Sequence, residues 1–353
     1  MDAIRITDVV KRYPEFTLGP INMSVGQGEF FGIFGPPSTG KTSVLKLILG
    51  LLTPDEGQVE IAGRDAAEME VSARGISMVF QNLALFPHMT GRENIIFPLK
   101  ERGASEAEIA ERLDLVSEVL HVSHILHKNP AQMSGGERQR IALGRAFAAQ
   151  SRAMLLDEPI AALDARLREE MRVELKRLQR ENNQTFVYVS HDEEEVMAIS
   201  DRVAVIVGGR IAQIGTPEEV YNEPCSLAVA EVIGSPPMNF FEGRFSAEGL
   251  RFESDVLETD IQVVCTTQKG GAGTLGVRPE DIWLGESEGN PSFKVRVSTV
   301  EPLGGYTIIN ARIGKQIIKI RAPGQVALEE DAWQSVSLDA RRLHLFCAKG
   351  SRL

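Results

Sequence analysis

The chain has 353 residues, of which 43% are hydrophobic and 25% are charged, a composition typical of a globular protein long enough for two domains. No apolar run approaches the roughly 20 residues that a membrane-spanning helix needs, and charged residues recur from Asp2 onward, so neither a span nor a secretion signal is predicted. The cysteines, Cys225, Cys265 and Cys347, lie far apart without a CxxC spacing. They predict a reducing compartment and packing roles, with no cysteine metal site.

The formal net charge of −11 is unevenly distributed along the chain. Residues 1–235 contain 24 basic and 34 acidic residues, a balance of −10, whereas the remaining 14 basic and 15 acidic residues give −1. An acidic domain lacks the basic surface that nucleic acid binding requires, so no nucleic acid partner is predicted. Direct adsorption to anionic lipid is also disfavoured, and any association with a membrane is expected to go through a protein partner.

The first 28 residues contain short alternating apolar runs broken by prolines, which predict antiparallel strands. Residues 30–34 predict a buried strand, and residues 44–49 predict a helix with one buried face. Between them, residues 35–42 read GPPSTGKT, which fits the pattern G-x-x-x-x-G-K-[ST] at every fixed position. Strand, glycine loop and helix start together form a phosphate cradle, so the chain is predicted to bind a nucleoside triphosphate.

The chemistry of this cradle assigns roles to its residues. Backbone N–H groups and the positive end of the helix surround the phosphates, and Lys41 adds a point charge toward the β- and γ-phosphates. The Thr42 hydroxyl is placed to bind Mg²⁺. Tyr13 lies in a turn upstream of the cradle, where an aromatic side chain either stacks on a nucleobase or is a partly buried structural residue.

The next part of the chain predicts a strand over residues 76–80, which delivers Gln81 at its end, and then a mostly helical stretch. Residues 133–140 read MSGGERQR and open a further helix. A capping box would explain Ser134 and Glu137 but not the two glycines between them, which lower helix propensity. Because glycines at a helix N-terminus let an anion approach the backbone, we interpret this segment as a second phosphate-facing site.

Two more predicted strands end in candidate catalytic groups. A buried apolar strand ends in Asp157 and Glu158. In a P-loop protein the first acid at such an end anchors Mg²⁺, and the second is placed to orient or activate a water. The following strand leads into a predicted capping box of Ser190 and Glu193, which leaves His191 unexplained. His191 is predicted at the edge where open α/β sheets bind ligands.

The pattern changes near the C-terminal third of the chain. Residues 234–237, Gly-Ser-Pro-Pro, predict a linker. Short β-rich runs separated by turns follow, and they predict a small, mostly β domain of barrel type. The predicted strands cover residues 276–278, 293–300, 306–313, 316–320 and 336–338.

Residues 1–235 resemble the ATP-binding cassette of ABC transporters. The matching features, in the family's order, are the Walker A cradle, the Gln81 loop, the signature that begins at Ser134, the Walker B acids Asp157 and Glu158, and the switch histidine His191. Tyr13 stands where this family carries its adenine-stacking aromatic residue. The resemblance implies an α/β P-loop ATPase cassette at residues 1–235 with an inserted helical subdomain at about residues 88–150, followed by a small mostly-β OB-like domain at residues 236–353.

Further stretches are similar to the ATPases of bacterial carbohydrate importers of the maltose and glycerol-3-phosphate type. They are QNLALFPHMT at residues 81–90, GTPEEVY at 215–221, GSPPMNFF at 234–241 and GVRPED at 276–281. The linker sequence around residues 235–240 favours a carbohydrate importer. The alternative is the ATPase of a polyamine, metal or other small-solute importer.

The resemblance implies a homodimer of cassettes that sandwiches two ATP molecules with Mg²⁺. The dimer would drive integral membrane permease subunits from the cytoplasmic face of the inner membrane, as a peripheral subunit, and a periplasmic solute-binding protein would act indirectly. The implied catalytic residues are Lys41, Gln81, Glu158 and His191, and the implied metal ligands are Thr42, Gln81 and Asp157. The implied ATP-binding residues are Tyr13, Gly35, Pro36, Pro37, Ser38, Thr39, Gly40, Lys41, Thr42, Ser43, Ser134, Gly135, Gly136 and Asp164.

The sequence departs from the family pattern at a few positions. Ser38 replaces a common third glycine of the cradle, and the signature has Met133 and Glu137 in place of leucine and glutamine. Residues 161–162 are alanines instead of the usual polar pair, which leaves Asp164 as the main cross-subunit candidate. None of these changes removes a group that handles phosphate, Mg²⁺ or water, so an active ATPase is expected.

Two other functional classes are disfavoured. A non-transport ABC ATPase that acts on DNA or ribosomes conflicts with the acidic charge, the single cassette, and the interval of 116 residues between Lys41 and Asp157, which is too short for an inserted coiled coil. A P-loop kinase that phosphorylates a small molecule has no use for the signature at Ser134.

Overall fold

The computed structural model describes residues 2–257, 260–263 and 270–353 of the chain. It divides into two compact units, Met1–Pro217 and Glu218–Leu353, which are described separately below. Every helix in the described ranges is too short or too polar to cross a bilayer. In those ranges Cys225 and Cys347 form no disulfide, and Cys265 lies outside them.

The first unit contains strands and helices in alternation. In chain order they are β1 (Asp2–Arg12), β2 (Thr17–Gly26), β3 (Phe30–Phe34), α1 (Lys41–Leu49), β4 (Glu56–Ile61), β5 (Arg64–Asp65), β6 (Ile76–Val79), α2 (Gly91–Glu101), α3 (Glu106–Val119), α4 (Gly135–Ala148), β7 (Ala153–Asp157), α5 (Ala165–Asn182), β8 (Thr185–Ser190), α6 (Glu193–Ile199), β9 (Arg202–Val207) and β10 (Arg210–Gly215). The predicted strands and the predicted helices at the cradle and the signature are therefore present.

Two sheets organise this unit. An antiparallel sheet has the strand order β2-β1-β4-β5, and a six-stranded sheet has the order β10-β9-β3-β8-β7-β6. In the larger sheet the neighbours from β9 to β6 are parallel, and only the β10–β9 pair is antiparallel. Its strands are nearly continuous apolar runs, as expected for a sheet that is covered on both faces.

The register of the larger sheet brings three strand ends together. Phe34, the last residue of β3, pairs with Ser190 on β8, and Asp157, the last residue of β7, pairs with Val189. Because parallel strands end at the same edge, the residues that follow β3, β7 and β8 emerge side by side.

Helix α1 packs between the two sheets. Its apolar face, Val44, Leu45, Leu47 and Ile48, is buried in one core with inward side chains of both sheets. The helix ends at Gly50, which adopts the left-handed conformation with φ 92°. There the Gly50 N–H bonds to the Lys46 carbonyl, as expected for a glycine helix terminus.

Helices α2, α3 and α4 pack on one another within the stretch for which the sequence predicts a helical subdomain. Their buried contacts include Ile95, Val116 and Ile141. Gly144 of α4 allows close approach, because an added Cβ there would lie 3.1 Å from Ile95 and 3.2 Å from Val116. Asn94 of α2 is fully buried, and its side chain bonds to the backbone of the loop before the helix.

The second unit is β-rich. Helices α7 (Pro217–Asn222) and α8 (Leu227–Val232) precede strands β11 (Asn239–Phe245), β12 (Arg251–Glu253), β13 (Ile261–Gln262), β14 (Gly271–Val277), β15 (Ile282–Leu284), β16 (Ser292–Pro302), β17 (Tyr306–Ile313), β18 (Gln316–Pro323), β19 (Trp333–Leu338) and β20 (His344–Cys347). They form two antiparallel sheets, in the orders β13-β12-β11-β14-β20 and β15-β19-β16-β17-β18, around one apolar core.

The second compact unit begins at Glu218, and the domain boundary after residue 235 stays a prediction. Hydrogen bonds join the segment around α8 to the C-terminal segment of the same unit. The Leu227 N–H donates to the Gly350 carbonyl at 2.8 Å, and the Arg352 N–H donates to the Cys225 carbonyl at 3.0 Å. A Pro-Pro sequence marks a local turn, but only these long-range contacts show which unit the preceding helix joins.

Candidate functional site

A cavity of about 630 Å³ lies where β3, β6, β7 and β8 end. Side chains from the glycine loop, the start of α1, the β1–β2 turn and the ends of these strands surround it. They are Tyr13, Phe16, Pro37, Ser38, Gly40, Lys41, Thr42, Ser43, Gln81, Glu158, Val189 and His191. The structure thus brings together most of the residues predicted for one nucleotide, although these came from widely separated parts of the sequence.

The glycine loop has a backbone shape that its sequence explains. A Cβ on Gly35 would lie 2.3 Å from the Ile206 carbonyl oxygen, so only glycine fits there. Ser38, which replaces a common glycine, has φ 62°, in the left-handed region that favours glycine. The Thr39 hydroxyl donates to the Pro36 carbonyl at 2.9 Å and closes the loop. Gly35, Pro36 and Thr39 do not line the cavity themselves, and they shape the loop whose neighbouring residues do.

Lys41 is a buried cation in the first turn of α1. Its Nζ donates to the carbonyls of Gly35 at 2.7 Å and Pro36 at 2.8 Å, and only 7% of the residue is exposed. Burial lowers the pKa of the Lys41 ammonium, while Glu158 and Asp157 act in the opposite direction. The side chain is thus held against the loop that is predicted to surround the phosphates.

Thr42 and Asp157 form the candidate metal position. The Thr42 hydroxyl donates to Asp157 Oδ1 at 3.1 Å, and burial raises the pKa of the Asp157 carboxyl. In the described part of the chain no cluster of three His, Cys, Asp or Glu side chains forms a complete metal cage. One carboxylate and one hydroxyl beside a phosphate cradle nevertheless fit Mg²⁺, because this ion takes few protein ligands and completes its shell with phosphate and water oxygens.

Glu158 lies at the centre of the remaining polar groups. His191 Nδ1 lies 2.7 Å from Glu158 Oε1, and Gln81 Nε2 donates to Glu158 Oε2 at 3.2 Å. Glu158 itself has φ 50°, a left-handed conformation at the residue that follows β7. Such backbone strain is found at sites where a side chain must be held in one direction. Here the carboxylate faces the cavity together with a histidine and an amide.

Part of the cavity lining is aromatic. The Tyr13 and Phe16 rings stack with centroids 6.2 Å apart and planes inclined by 27°. The Tyr13 hydroxyl donates to Ser43 Oγ at 3.0 Å, which joins the β1–β2 turn to the first turn of α1. An apolar, planar wall beside a phosphate cradle is suited to a nucleobase. Phe16 was not among the predicted site residues, although its position three residues after Tyr13 in the same turn was a signal for it.

Sequence comparisons place this geometry in a family. The profile described as ABC transporter matches residues 18–161, that of the MalK OB fold domain matches 234–282, and that of the TOBE domain matches 275–346. The chain is 40% identical over 351 residues to the sn-glycerol-3-phosphate import ATP-binding protein UgpC 3 of Rhizobium johnstonii, covering 98% of this chain and 97% of that protein. It is 39% identical to UgpC of Escherichia coli K12, covering 98% of each chain.

The chain belongs to the ABC transporter family. Solved structures agree. The cassette MJ0796, a dimer bound to ADP and Pi, superimposes with a TM-score of 0.57 at 30% identity, covering 61% of this chain and 98% of that one. CbiO1 from Clostridium perfringens superimposes with a TM-score of 0.58 at 26% identity, covering 63% and 91%. The predicted fold class and the predicted activity, ATP hydrolysis by an ABC importer subunit, are therefore confirmed.

The ABC signature lies away from the cavity of its own chain. Ser134 is exposed at the start of α4 and forms the predicted capping box, in which its hydroxyl accepts from the Glu137 N–H at 3.2 Å and Glu137 accepts from the Ser134 N–H at 2.6 Å. Gly135 and Gly136 follow in the first turn. Asp164 likewise caps α5, by accepting from the Leu167 N–H at 3.0 Å. None of these residues lines the cavity.

Glu137 departs from the ABC signature pattern, in which glutamine is usual, and it forms an ion pair that glutamine could not form. Its Oε1 accepts from Lys128 Nζ at 2.9 Å. This bond, together with the bond from the Ser134 N–H, lowers the pKa of the Glu137 carboxyl to about 2.

Gln139 was not among the predicted site residues, but it contacts the backbone of Glu158 and Ala162. It is 2% exposed on α4, and its Nε2 donates to the Glu158 carbonyl at 3.1 Å while its Oε1 accepts from the Ala162 N–H at 3.1 Å. It therefore links the signature helix to the backbone between Glu158 and Asp164. A buried glutamine five residues after Ser134 gives no local signal for these long-range partners.

One predicted cap is wrong. The helix after β8 is capped by Asp192, whose Oδ1 accepts from the Glu195 N–H at 3.2 Å, and not by Ser190 with Glu193. The reason is that the Ser190 hydroxyl is directed inward, where it donates to buried Glu195 at 2.8 Å. His191 lies between these two residues.

Proposed function

We propose that this chain powers the uptake of sn-glycerol-3-phosphate or a related carbohydrate through a separate permease. The observation that carries the proposal is the identity of about 39% to 40% with the UgpC proteins, whose import function their names state, along the whole of both chains. The shared length includes the C-terminal unit, so the likeness is not limited to the cassette common to all ABC proteins.

Glu158 is the residue that we propose polarises the attacking water. Among the residues that the structure describes, it is the one carboxylate that lines the cavity, and its two oxygens contact His191 and Gln81. A carboxylate with fixed orientation can accept a water proton as the oxygen attacks the γ-phosphate. His191 and Lys41 would place positive or hydrogen-bonding groups around the charge that develops on the transferred phosphoryl group.

Thr42 and Asp157, with Gln81, are the proposed Mg²⁺ ligands. The hydroxyl and the carboxylate already lie 3.1 Å apart at the foot of the cradle, and Gln81 lines the same cavity. When bound there, Mg²⁺ would neutralise charge on the phosphate oxygens. Tyr13 is proposed to stack on the adenine, while the loop from Gly35 to Ser43 surrounds the phosphates.

Ser134, Gly135, Gly136 and Asp164 are proposed to act on the nucleotide of a second copy. Their position outside the cavity of their own chain means that they need a partner cassette to reach ATP. Ser134 is exposed, and an added Cβ on Gly135 would meet no atom within 4 Å, so the start of α4 presents open backbone. The related cassette MJ0796 was solved as a dimer, which supports a homodimer here.

The partners proposed beyond the homodimer are permease subunits and, indirectly, a periplasmic solute-binding protein. The chain would then lie at the cytoplasmic face of the inner membrane as a peripheral subunit. The loop after Gln81 is the proposed docking segment, since Leu85 and Phe86 are partly exposed apolar residues beside the cavity residue Gln81.

The decisive experiment is the ATPase rate of the complex reconstituted with its permease and binding protein, measured across a panel of solutes. We expect stimulation by sn-glycerol-3-phosphate or another carbohydrate, and none in a matched complex that carries Lys41→Ala. Stimulation only by a polyamine or a metal ion would contradict the carbohydrate assignment and leave the ATPase intact. Stimulation by DNA or ribosomes, without a response to any solute, would contradict the transport function.

A further inference from the structure

The turn that carries His191 rests on a buried carboxylate that no proposed step of hydrolysis uses. Glu195 lies in the first turn of α6, four residues after His191, and is only 3% exposed. An ionisable side chain is rarely buried this deeply unless it is paired or hydrogen-bonded. Its partners therefore indicate what it does.

The Glu195 carboxylate holds the residues on both sides of His191. Its Oε2 accepts from the Ser190 hydroxyl at 2.8 Å and from the Tyr188 hydroxyl at 3.0 Å. The Ser190 oxygen in turn accepts from the Asp192 N–H at 3.0 Å. A single carboxylate oxygen thus fixes the end of β8, and through one hydroxyl it fixes the backbone immediately after His191.

Arg168 of α5 joins the same group to another part of the site. Its Nε lies 3.6 Å from Glu195 Oε1, an ion pair without a hydrogen bond, and its Nη1 lies 3.7 Å from Asp192 Oδ2. Its Nη2 donates to the Leu163 carbonyl at 3.3 Å, one residue before Asp164. The network therefore connects the His191 turn to the segment that is proposed to face the second cassette.

We infer that Glu195 is a positioning residue for His191. His191 has 53% of its side chain exposed, so little packing holds it, yet its Nδ1 meets Glu158 at 2.7 Å. In place of packing, the turn that is held by Glu195, Ser190 and Asp192 keeps the His191 side chain in this position. A small displacement of a catalytic group can lower a rate by about 10²-fold, so such a support would be visible in turnover.

This inference rests on the proposed role of His191, and the test separates the two. Ser190→Ala removes the hydroxyl that links Glu195 to Asp192 without changing any charge. Glu195→Gln keeps a side-chain oxygen that can accept from Ser190 and Tyr188 but loses the ion pair with Arg168. Glu195→Ala removes both. Glu194→Gln, at the exposed neighbouring carboxylate, is the matched control for loss of one negative charge on the same helix.

Steady-state ATP hydrolysis by the full-length protein is measured for each variant, with its thermal midpoint. We expect kcat to fall about 10-fold for Ser190→Ala and more for Glu195→Ala, with KM for ATP within about twofold, because the cradle that binds ATP is untouched. Glu195→Gln should retain most of the turnover, and Glu194→Gln all of it. A fall in thermal midpoint with unchanged kcat in Ser190→Ala and Glu195→Ala would show a merely structural carboxylate and overturn the inference.

A double-mutant cycle with His191→Ala gives the second readout. If Glu195 acts through His191, then adding Ser190→Ala to His191→Ala lowers the residual rate by less than about twofold, since the group being positioned is already gone. Independent multiplication of the two effects would overturn the inference even if each single variant is slow. If His191→Ala alone turns over at the wild-type rate, the proposed role of His191 is wrong, and the inference falls with it.

Discussion

Both units of this ABC protein bury charged side chains, and those at the cavity of the first unit differ from Arg278 of the second unit in what they contact. In the first unit Lys41 and Asp157 are 7% and 2% exposed, and both lie beside the cavity. In the second unit Arg278 is 2% exposed and donates to the carbonyls of Ile233, at 2.8 Å, and Tyr221. Lys41 and Asp157 of the first unit are proposed to face a ligand, whereas Arg278 of the second unit fixes backbone segments to each other.

The two tryptophans of the chain allow the units to be followed separately. Trp283 and Trp333 both lie in the second unit, and the change in fluorescence on its unfolding should come mainly from Trp283, which is 37% exposed against 69% for Trp333. ATP turnover reports the first unit, and most of the helical circular dichroism signal arises there too, since α1 to α6 belong to it. Changes to the cavity residues of the first unit and to Arg278 of the second should therefore be detected by different probes.

The largest effect is expected for Glu158→Gln. Glutamine keeps the size of the side chain but cannot accept a proton from water, so kcat should fall about 10²- to 10⁴-fold while ATP still binds. The tryptophan unfolding transition should stay where it is in the unchanged protein. Single-turnover hydrolysis and equilibrium ATP binding check this prediction. Wild-type turnover would show that Glu158 is not the residue that activates the water.

Arg278→Met should give the opposite pattern. The guanidinium lies 3.7 Å above the Tyr221 ring and bonds to two backbone carbonyls, so its loss leaves buried acceptors unpaired. We expect the second unit to lose about 2 to 4 kcal/mol of stability, with ATP turnover unchanged below its transition. Tryptophan-monitored denaturant unfolding measures the loss, and exposed Arg312→Met is the control. A parallel loss of turnover would contradict the separation between the units.

A change in pH should affect the second unit through two groups that oppose each other. Burial lowers the pKa of His344 to about 4 and raises the pKa of Asp281 to about 6. Between pH 6.5 and 4 the unfolded chain holds more protons at His344, so this residue removes stability as the pH falls. Between pH 6 and 3.8 the folded chain holds more protons at Asp281, which adds stability as the pH falls.

His344→Phe and Asp281→Asn should separate these opposing contributions. With phenylalanine at 344, tryptophan-monitored stability should rise relative to the unchanged protein as the pH falls from 6.5 to 4.5, by about 1 to 2 kcal/mol. With asparagine at 281 the relative change should have the opposite sign. The readout is the slope of the free energy of unfolding against pH, because each substitution also shifts the absolute value of that free energy. Equal slopes in all three proteins would show that neither group is perturbed by burial.

The sequence predicted the cassette better than it predicted the second unit, and the reason is physical. The cradle, Gln81, Glu158 and His191 each stand at the end of an apolar strand, and parallel strands bring their ends to one edge whatever the details of packing. In the second unit, β12 and β13 have only three and two residues. Strands that short carry no periodic signal and exist because their neighbours pair with them.

The wrongly predicted helix cap near His191 shows that a local sequence pattern does not always identify the capping residue. Ser190 with Glu193 and Asp192 with Glu195 both fit a capping box, and the sequence alone does not choose between them. The choice depends on Glu195 being buried beside Tyr188 of β8, which is a tertiary contact. Gln139 was missed for the same reason, because its partners at Glu158 and Ala162 lie about 20 residues further along the chain.

The smallest effect is expected at Glu137, where a charge near the surface of the first unit serves the fold and not the ligand. Lys128 and the Ser134 N–H hold the pKa of Glu137 at about 2, so its contribution to stability is complete above pH 4.5 and is lost as the pH falls below that value. Glu137→Gln should cost about 0.5 to 1 kcal/mol at pH 7, because the ion pair with Lys128 is lost while glutamine can still accept from the Ser134 N–H.

Circular dichroism at 222 nm during denaturant unfolding measures that cost, which should shrink at high salt because ion pairs are screened. Lys128→Gln completes a double-mutant cycle.

In the second unit, the ion pair between Arg296 and Asp331 should contribute less to stability than the pair between Lys128 and Glu137. The side chains of Arg296 and Asp331 are 50% and 79% exposed, against 31% and 16% for Lys128 and Glu137. ATP turnover should stay within about twofold of wild type in Glu137→Gln, because Ser134 keeps its cap. A large loss of turnover would instead mean that the Glu137 charge acts on the nucleotide, as the charges of Lys41 and Asp157 are proposed to do.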